Sequence, residues 1–144
     1  MATGATTGIV SRYDILEDGE TEHGAVAPAL THHQEVFGRA PTLVTADRGV
    51  HSPDNERLAG AAGVRHLVIP AWGKATAEQR AREKERAWRQ GYQWRAGIEG
   101  RISSLRRDYG LRRCADHGPD GMERRVGWGV IGSNLRHIGQ ALAA

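Results

Sequence analysis

Residues 41–70 read PTLVTADRGVHSPDNERLAGAAGVRHLVIP, and this stretch decides the fold. Its apolar runs at 42–46 and 64–70 are typical of buried strands. Between the two runs, Ser52 can cap a helix that begins at Pro53. A strand, a helix and a second strand in this order predict a right-handed crossover that joins two parallel strands.

The elements before this stretch extend the same pattern. The run GIVSRYDIL at 8–16 predicts a strand, and residues 24–37 predict a helix with Pro28 in its first turn. Strand, helix, strand, helix, strand is the order typical of a parallel α/β sheet. We therefore expect one α/β domain that spans residues 1–144 and ends in helices.

The C-terminal half is predicted to be helical. Thr76 and Gln79 have the spacing of a capping box, and Gly91 is a position where the following helix can break or kink. After a loop at 116–121, a final helix carries large apolar side chains at steps of three and four. Such a stripe indicates a face that packs in the core or on a neighbour. Its members are Trp128, Ile131, Leu135, Ile138 and Leu142.

Residues 92–106, YQWRAGIEGRISSLR, place four polar or aromatic side chains on one helix face. At 100° per residue, their offsets from Glu99 fall within about 40° on the helix wheel. Tyr92, Arg95, Glu99 and Arg106 therefore form one line, called the ridge below. Glu99 is expected at the margin of the buried face, where a side chain can meet groups carried by a sheet.

The positive charge is concentrated around the ridge. Residues 1–73 contain five basic and nine acidic residues (net −4), residues 74–113 contain twelve and five (net +7), and residues 114–144 contain three of each. Most of the basic residues are Arg, which binds phosphate as a planar fork. A basic segment with interleaved aromatic residues favours a polyanion such as DNA as partner. The alternative is a solvated helix held by i,i+4 ion pairs.

The composition also excludes several classes of protein. No apolar run reaches the roughly 20 residues that a membrane span requires, and the first residues lack the features of a signal peptide. A single cysteine, Cys114, excludes an internal disulfide and fits a reducing cytoplasm. The histidines and Cys114 lack the paired spacing of zinc ligands. We expect a cytoplasmic protein with no membrane partner.

Asp47 is the first candidate for metal chemistry. It follows the predicted strand at 42–46, and ligands of open α/β sheets collect at the carboxyl ends of strands. An Asp before a Gly turn is also ordinary turn chemistry, so that alternative stays open. If Glu99 packs against the same sheet edge, the two carboxylates would bind a divalent metal ion among arginines. Metal ions held in this way support phosphoryl transfer.

The spacing Tyr92-x2-Arg95-x3-Glu99-x6-Arg106 resembles the Y-R-E-K signature of DDE-type transposases from bacterial insertion sequences, with Arg in the final position. The stretch LVTADRG at 43–49 is similar to the strand that carries the second catalytic aspartate of these enzymes. The text around the signature, RAGIEGRISSLRRDYGLRRC, resembles the family as well, so the resemblance covers most of the chain.

The resemblance implies a ribonuclease-H-like fold and a DNA transposase that uses Mg²⁺. By this match Asp47 and Glu99 are catalytic residues and metal ligands, Tyr92 and Arg95 hold transposon-end DNA, and Arg106 contacts backbone phosphate. The implied reaction frees a 3′-hydroxyl by hydrolysis, and that hydroxyl then attacks target DNA. The implied partners are transposon ends, target DNA, and either further copies of the chain or an intact transposase.

One part of the family pattern has no match. The family's first aspartate precedes the strand that the run at 8–16 resembles, so we expect a ribonuclease-H-like domain truncated at its N-terminus, without its first two strands. Such a chain would be an incomplete, inactive transposase fragment. Three alternatives stay open. The first is a non-catalytic DNA-binding or regulatory fragment, and the second is a different ribonuclease-H-like nuclease with Asp14, Asp47 and Glu99 as its triad. The third is a soluble α/β module that is unfolded or has no activity in the cell.

Overall fold

The structure, a computed structural model, describes residues 2–3, 8–16, 22–71, 73–113, 116 and 118–143, so that Cys114 lies outside it. The chain forms two units, Asp18–Gly97 and a second that joins Met1–Glu17 to Ile98–Ala144. One domain over the whole chain remains a prediction. The described elements are β1 Ala2–Thr3, β2 Val10–Arg12, α1 Val26–Phe37, β3 Leu43–Thr45, α2 Pro53–Ala61, β4 His66–Val68, α3 Ala77–Glu83, α4 Arg86–Asp108 and α5 Gly118–Leu142.

The segment β3–α2–β4 confirms the predicted parallel pair. β3 and β4 run parallel, with Leu43 opposite His66 in the register. The Ser52 hydroxyl accepts a hydrogen bond from the backbone N–H of Asn55 at 3.1 Å, and Pro53 is the first residue of α2. Capping chemistry therefore sets the start of this helix, because the Ser oxygen satisfies an N–H that has no helical partner.

The core of the Asp18–Gly97 unit joins this sheet to α1 and α2. Each buried Val, Leu or Ile contributes roughly 1.5–3 kcal/mol relative to an exposed one, so these contacts hold the sheet in place. The buried members are Val26, Leu30, Val50, Ala59 and Ile69, with Val44, Ala46, Val64 and Leu67 packed against them.

Gly91 is the point where α4 lies directly on the sheet. It is buried, and a Cβ atom there would lie 2.9 Å from Val68 Cγ2 and 3.1 Å from Leu43 Cδ1. The predicted break at Gly91 is wrong, because α4 continues through it and the helices separate at residues 84–85 instead. The glycine serves packing, since a missing side chain lets the helix backbone approach the sheet closely.

The opening strand is shorter than predicted and does not extend the parallel pair. β2 pairs antiparallel with β1 in a separate two-stranded sheet. The side-chain amide of Asn134 on α5 bonds to both the N–H and the carbonyl of Val10, each at 2.8 Å. This side chain thus satisfies backbone groups that a neighbouring strand would otherwise pair. Among the described strands, only β3 and β4 follow the expected parallel order.

The first helix after the sheet has the predicted cap, whereas the final helix begins earlier than predicted. Thr76 and Gln79 form the predicted capping box, with reciprocal hydrogen bonds of 3.1 and 2.8 Å. α5 begins at Gly118, inside the loop predicted at 116–121. Pro119 suits that first turn, because a first-turn N–H needs no helical acceptor. No described helix is long and apolar enough to cross a membrane.

Replacement of Gly91 by Ala should give a less stable protein than the matched control, Gly97→Ala. Both glycines lie in α4, but a Cβ at Gly97 would meet nothing within 4 Å. Gly97→Ala should therefore raise the free energy of unfolding by up to about 1 kcal/mol through helix propensity. The free energy of unfolding of Gly91→Ala should be about 1–3 kcal/mol lower than that of this control, because the added methyl group overpacks the contact with the sheet. Urea denaturation measures both free energies of unfolding. Equal changes in the two variants would show that α4 does not lie directly on the sheet at Gly91.

Candidate functional site

Asp47 lies just past the carboxyl end of β3, as predicted. The last residue of the strand, Thr45, donates a hydrogen bond from its hydroxyl to the carbonyl of Val68 on β4, at 3.0 Å. Beyond Asp47 the chain enters a short 3-10 helix, Arg48–Val50. The Asp47 side chain is 69% exposed, so its carboxylate is accessible at this edge of the sheet.

Asn55 anchors the turn that follows Asp47. Its buried side-chain amide donates hydrogen bonds to the carbonyls of Val50 at 2.8 Å and His23 at 3.0 Å. A buried polar group left unpaired costs about 1–3 kcal/mol, so both bonds favour this one conformation of the turn. Asn55 therefore anchors the turn that follows Asp47 to α2.

Arg95 links the ridge helix to Asp47. Its Nη1 donates a hydrogen bond to Asp47 Oδ1, and the two side chains form an ion pair. The Arg95 side chain is only 21% exposed, and its guanidinium carbon lies 5.1 Å from the centroid of the Tyr92 ring. This distance is that of a cation–π contact. Its Nε is buried without a hydrogen-bond partner among the described residues, so packing and Asp47 hold the guanidinium in place.

Trp88 completes an arginine–aromatic cluster, which consists of Trp88, Tyr92, Arg95 and Asp47. Trp88 and Tyr92 stack with their ring centroids 5.2 Å apart and 11° between the ring planes. Tyr92 nevertheless remains 40% exposed. The stack was not among the sequence-based predictions, although the i,i+4 spacing of the two aromatic residues is a signal for it.

Glu99 and Arg106 lie farther along α4 and are exposed. All four ridge residues are on this one helix, which confirms the predicted element. Glu99 and Arg106 belong to the unit that contains Ile98–Ala144, whereas the arginine–aromatic cluster belongs to the other unit. The structure thus joins Arg95 to Asp47 and places Tyr92 against Arg95, and the functional roles of all five residues remain predictions.

The donor atoms of Asp47 and Glu99 suit a hard divalent metal ion, because Mg²⁺ and Mn²⁺ prefer carboxylate oxygen. Among the described contacts of Asp47, the Arg95 hydrogen bond uses one carboxylate oxygen, Oδ1. Within the part of the chain that the structure describes, no three His, Cys, Asp or Glu side chains form a group that could hold a metal ion. A metal ion at Asp47 would compete with Arg95, since both cations need the same carboxylate.

Asp14, a member of the alternative triad, pairs with Arg12. The guanidinium donates from Nη2 to Asp14 Oδ1 at 2.5 Å and from Nε to Oδ2 at 3.0 Å. Both carboxylate oxygens are therefore engaged by one bidentate fork, which is the strong geometry for an Arg–carboxylate pair.

The basic segment presents its charge to solvent. Arginines on α3 and on the first half of α4 are exposed, on the same unit as the arginine–aromatic cluster. Several exposed guanidinium groups along two successive helices give a surface that attracts phosphate. These arginines are Arg80, Arg82, Arg86 and Arg89.

The chain is mixed α/β and has an aspartate at a strand end, a partly buried arginine from a helix and a basic helical surface. These are features of a protein that acts on nucleic acid. A protein-family model described as the transposase DDE domain matches residues 56–139, more than half of the chain. The chain therefore belongs to the transposase DDE domain family, which confirms the resemblance noted in the sequence. The matched range includes the ridge and begins after Asp47. No curated protein and no solved structure gave a match.

Proposed function

We propose that the chain is an incomplete, inactive part of the catalytic domain of an insertion-sequence transposase, with a ribonuclease-H-like fold. The whole enzyme would carry out metal-dependent DNA cleavage and strand transfer. The observation that carries this proposal is the contact between Arg95 on the ridge helix and Asp47 at the strand end. It joins, within one unit, the two sequence elements by which the chain resembles DDE transposases. The family match supports the same assignment for α4.

Asp47 and Glu99 are the proposed metal ligands and catalytic residues. Their carboxylates would hold Mg²⁺, which when bound would stabilise negative charge on the phosphate and activate a water molecule. The exposed position of Asp47, on a turn fixed by Asn55, supports this role, because a ligand must be accessible and its backbone well positioned.

Tyr92, Arg95 and Arg106 are the proposed DNA contacts. The Arg95 guanidinium can exchange the Asp47 carboxylate for a DNA phosphate, because it forms charge-assisted hydrogen bonds with either. DNA that engages Arg95 would release Asp47 Oδ1 for the metal ion. Binding of DNA and binding of metal are therefore coupled in this proposal, and each should increase the affinity for the other.

Replacement of Arg95 by Gln should tighten metal binding in the absence of DNA. Removal of the competing guanidinium should increase Mn²⁺ affinity about fivefold, which corresponds to an exposed ion pair of about 1 kcal/mol. Isothermal titration calorimetry measures this change, with Arg39→Gln as the control that removes an equal charge at another exposed position of the same unit. In the double variant with Asp47→Asn, the gain should disappear. Equal Mn²⁺ affinities for Arg95→Gln and Arg39→Gln would contradict the competition.

Binding to duplex DNA should be weak, largely independent of sequence and strongly dependent on salt. Arg106→Gln should lower the affinity and reduce the slope of log K against log salt by about 1, because one phosphate contact is lost. Fluorescence anisotropy over a range of salt concentrations gives both values. Arg39→Gln, the same change outside the basic segment, should leave the slope nearly unchanged. An affinity that stays constant as salt rises would refute the electrostatic interface.

We also propose that the chain alone does not complete the reaction. The resemblance implies a first aspartate, and no residue of the chain matches its place. Asp14 is the nearest candidate, but Arg12 engages both of its carboxylate oxygens. With two of the three acidic ligands, metal binding should be weak and the reaction nearly stopped, since the metal ions supply most of the transition-state stabilisation.

The purified chain with Mg²⁺ and transposon-end DNA should therefore give no strand cleavage. A gel assay with end-labelled DNA measures this, and the Glu99→Gln variant should be indistinguishable from the wild-type chain. Efficient Mg²⁺-dependent nicking that disappears in Glu99→Gln would show that the catalytic site is complete, and would overturn the proposed inactivity.

The exposed arginines of α3 and α4 favour a second candidate function, a DNA-binding regulator that assembles with an intact transposase. Such a protein needs the basic surface but no metal. The calorimetric titration separates the two functions, because a regulator would bind DNA without any Mn²⁺ binding that depends on Asp47.

A further inference from the structure

Trp88 lies four residues before Tyr92, outside the four-residue signature but on the same face of α4. It precedes Glu99 by eleven residues, which places the two about 20° apart on the helix wheel. Its ring stacks on the ring of Tyr92, and Tyr92 in turn contacts Arg95. We propose that Trp88 is a positioning residue, which holds the Arg95 guanidinium at Asp47 by fixing the Tyr92 ring. Its effect on metal binding rests on the proposed function, whereas its effect on Arg95 does not.

The guanidinium of Arg95 needs more support than its hydrogen bonds supply. Among the described residues it donates only to Asp47, whose side chain is mostly exposed, and its Nε is buried without a hydrogen-bond partner. Fixing a long arginine side chain costs conformational entropy, and an ion pair with an exposed carboxylate offsets little of that cost. The Tyr92 ring, 5.1 Å from the guanidinium carbon, is the second support.

The Tyr92 ring can hold Arg95 only if the ring itself is held. It is 40% exposed, so packing restrains it incompletely. The Trp88 ring lies 5.2 Å from it between centroids, with only 11° between the two ring planes. Such stacked pairs are favoured beyond the area that they bury, so the stack restricts the rotation of the Tyr92 ring.

Trp88 is anchored by the core of its unit. It is half-buried and lines a small cavity together with Ile69, which follows β4 and is part of the buried core. One turn further along α4, Gly91 packs directly on the same sheet. Asp47 and all of these residues belong to the Asp18–Gly97 unit. A series of contacts within one unit therefore leads from the core, through two aromatic rings, to the guanidinium that pairs with Asp47.

Side-chain NMR relaxation on the full chain tests the proposal through the order parameter of the Arg95 Nε–Hε bond. Trp88→Leu should lower this order parameter below about 0.6, the range of flexible groups. Trp88→Phe keeps an aromatic face for Tyr92 and should stay near the wild-type value. Trp128→Leu, the same substitution in the other unit, is the matched control and should leave Arg95 unchanged.

A double variant tests whether Trp88 acts through Tyr92. Tyr92→Leu alone should loosen Arg95, and the addition of Trp88→Leu should then lower the order parameter no further, because both changes break the same series of contacts. Circular dichroism checks that each variant folds. If Trp88→Leu does not fold, Trp88→Met replaces it, since the longer side chain fills more of the space.

Under the proposed function, a loosened Arg95 competes less with a metal ion at Asp47. Trp88→Leu should therefore raise the Mn²⁺ affinity about two- to threefold in calorimetry, which is part of the gain expected of Arg95→Gln. In the Arg95→Gln background it should add nothing. If the NMR changes appear while no variant changes the Mn²⁺ affinity, the proposed metal site is refuted and the positioning role of Trp88 is supported.

Three NMR results would overturn the positioning role. An unchanged order parameter of Arg95 in Trp88→Leu would show that Tyr92 holds the guanidinium without help. Equal loosening in Trp88→Phe would show that the volume of Trp88 matters and its stacking does not. A further loss of order in the double variant would mean that Trp88 acts on Arg95 by a route other than Tyr92.

Discussion

The missing side chain at Gly91 is the constraint on which the site depends. Because no Cβ separates α4 from Val68 and Leu43, the helix backbone lies against the parallel pair of strands. The next turn of the helix then brings Arg95 to the carboxylate that follows β3. A larger residue at position 91 would lift the helix from the sheet and move Arg95 away from Asp47.

The Arg95–Asp47 ion pair can be displaced by ligands that compete for either of its two partners. Arg95 is held by the Tyr92 ring and by limited exposure, whereas Asp47 is mostly exposed, so the carboxylate is the partner that can be approached from solvent. A phosphate competes for Arg95 and a metal ion competes for Asp47. In the proposed function neither ligand binds without weakening the pair, and a transposase benefits when metal is held firmly only in the presence of DNA.

Local signals predicted the parts of the fold that local chemistry controls. The Ser52 cap and the Thr76 capping box depend on neighbouring residues, and both are confirmed. The apolar strands predicted at 42–46 and 64–70 are confirmed as shorter strands at 43–45 and 66–68. Contacts between distant residues were not predictable in this way. Gly91 was predicted to be a position where the helix can break or kink, because Gly has a low helix propensity. The helix is not broken there, and its backbone packs closely against the sheet.

In the candidate site, too, local features were predictable from the sequence and contacts between distant residues were not. The helix period placed the four ridge residues on one element, and the family match supports that helix. The Arg95–Asp47 pair joins residues 48 positions apart, and spacing along one element carries no signal for such a contact. The sequence shows the apolar stripe on α5, but only the structure shows that this face is exposed and not part of the core.

An NMR titration with paramagnetic Mn²⁺ measures whether Asp47 and Glu99 hold one metal ion, since the bound ion broadens the resonances of nearby amides. We expect the amides of Asp47 and Glu99 to broaden together at substoichiometric Mn²⁺, and neither to broaden in Asp47→Asn. Broadening at only one of the two residues, or even broadening over every exposed carboxylate, would contradict a shared metal site.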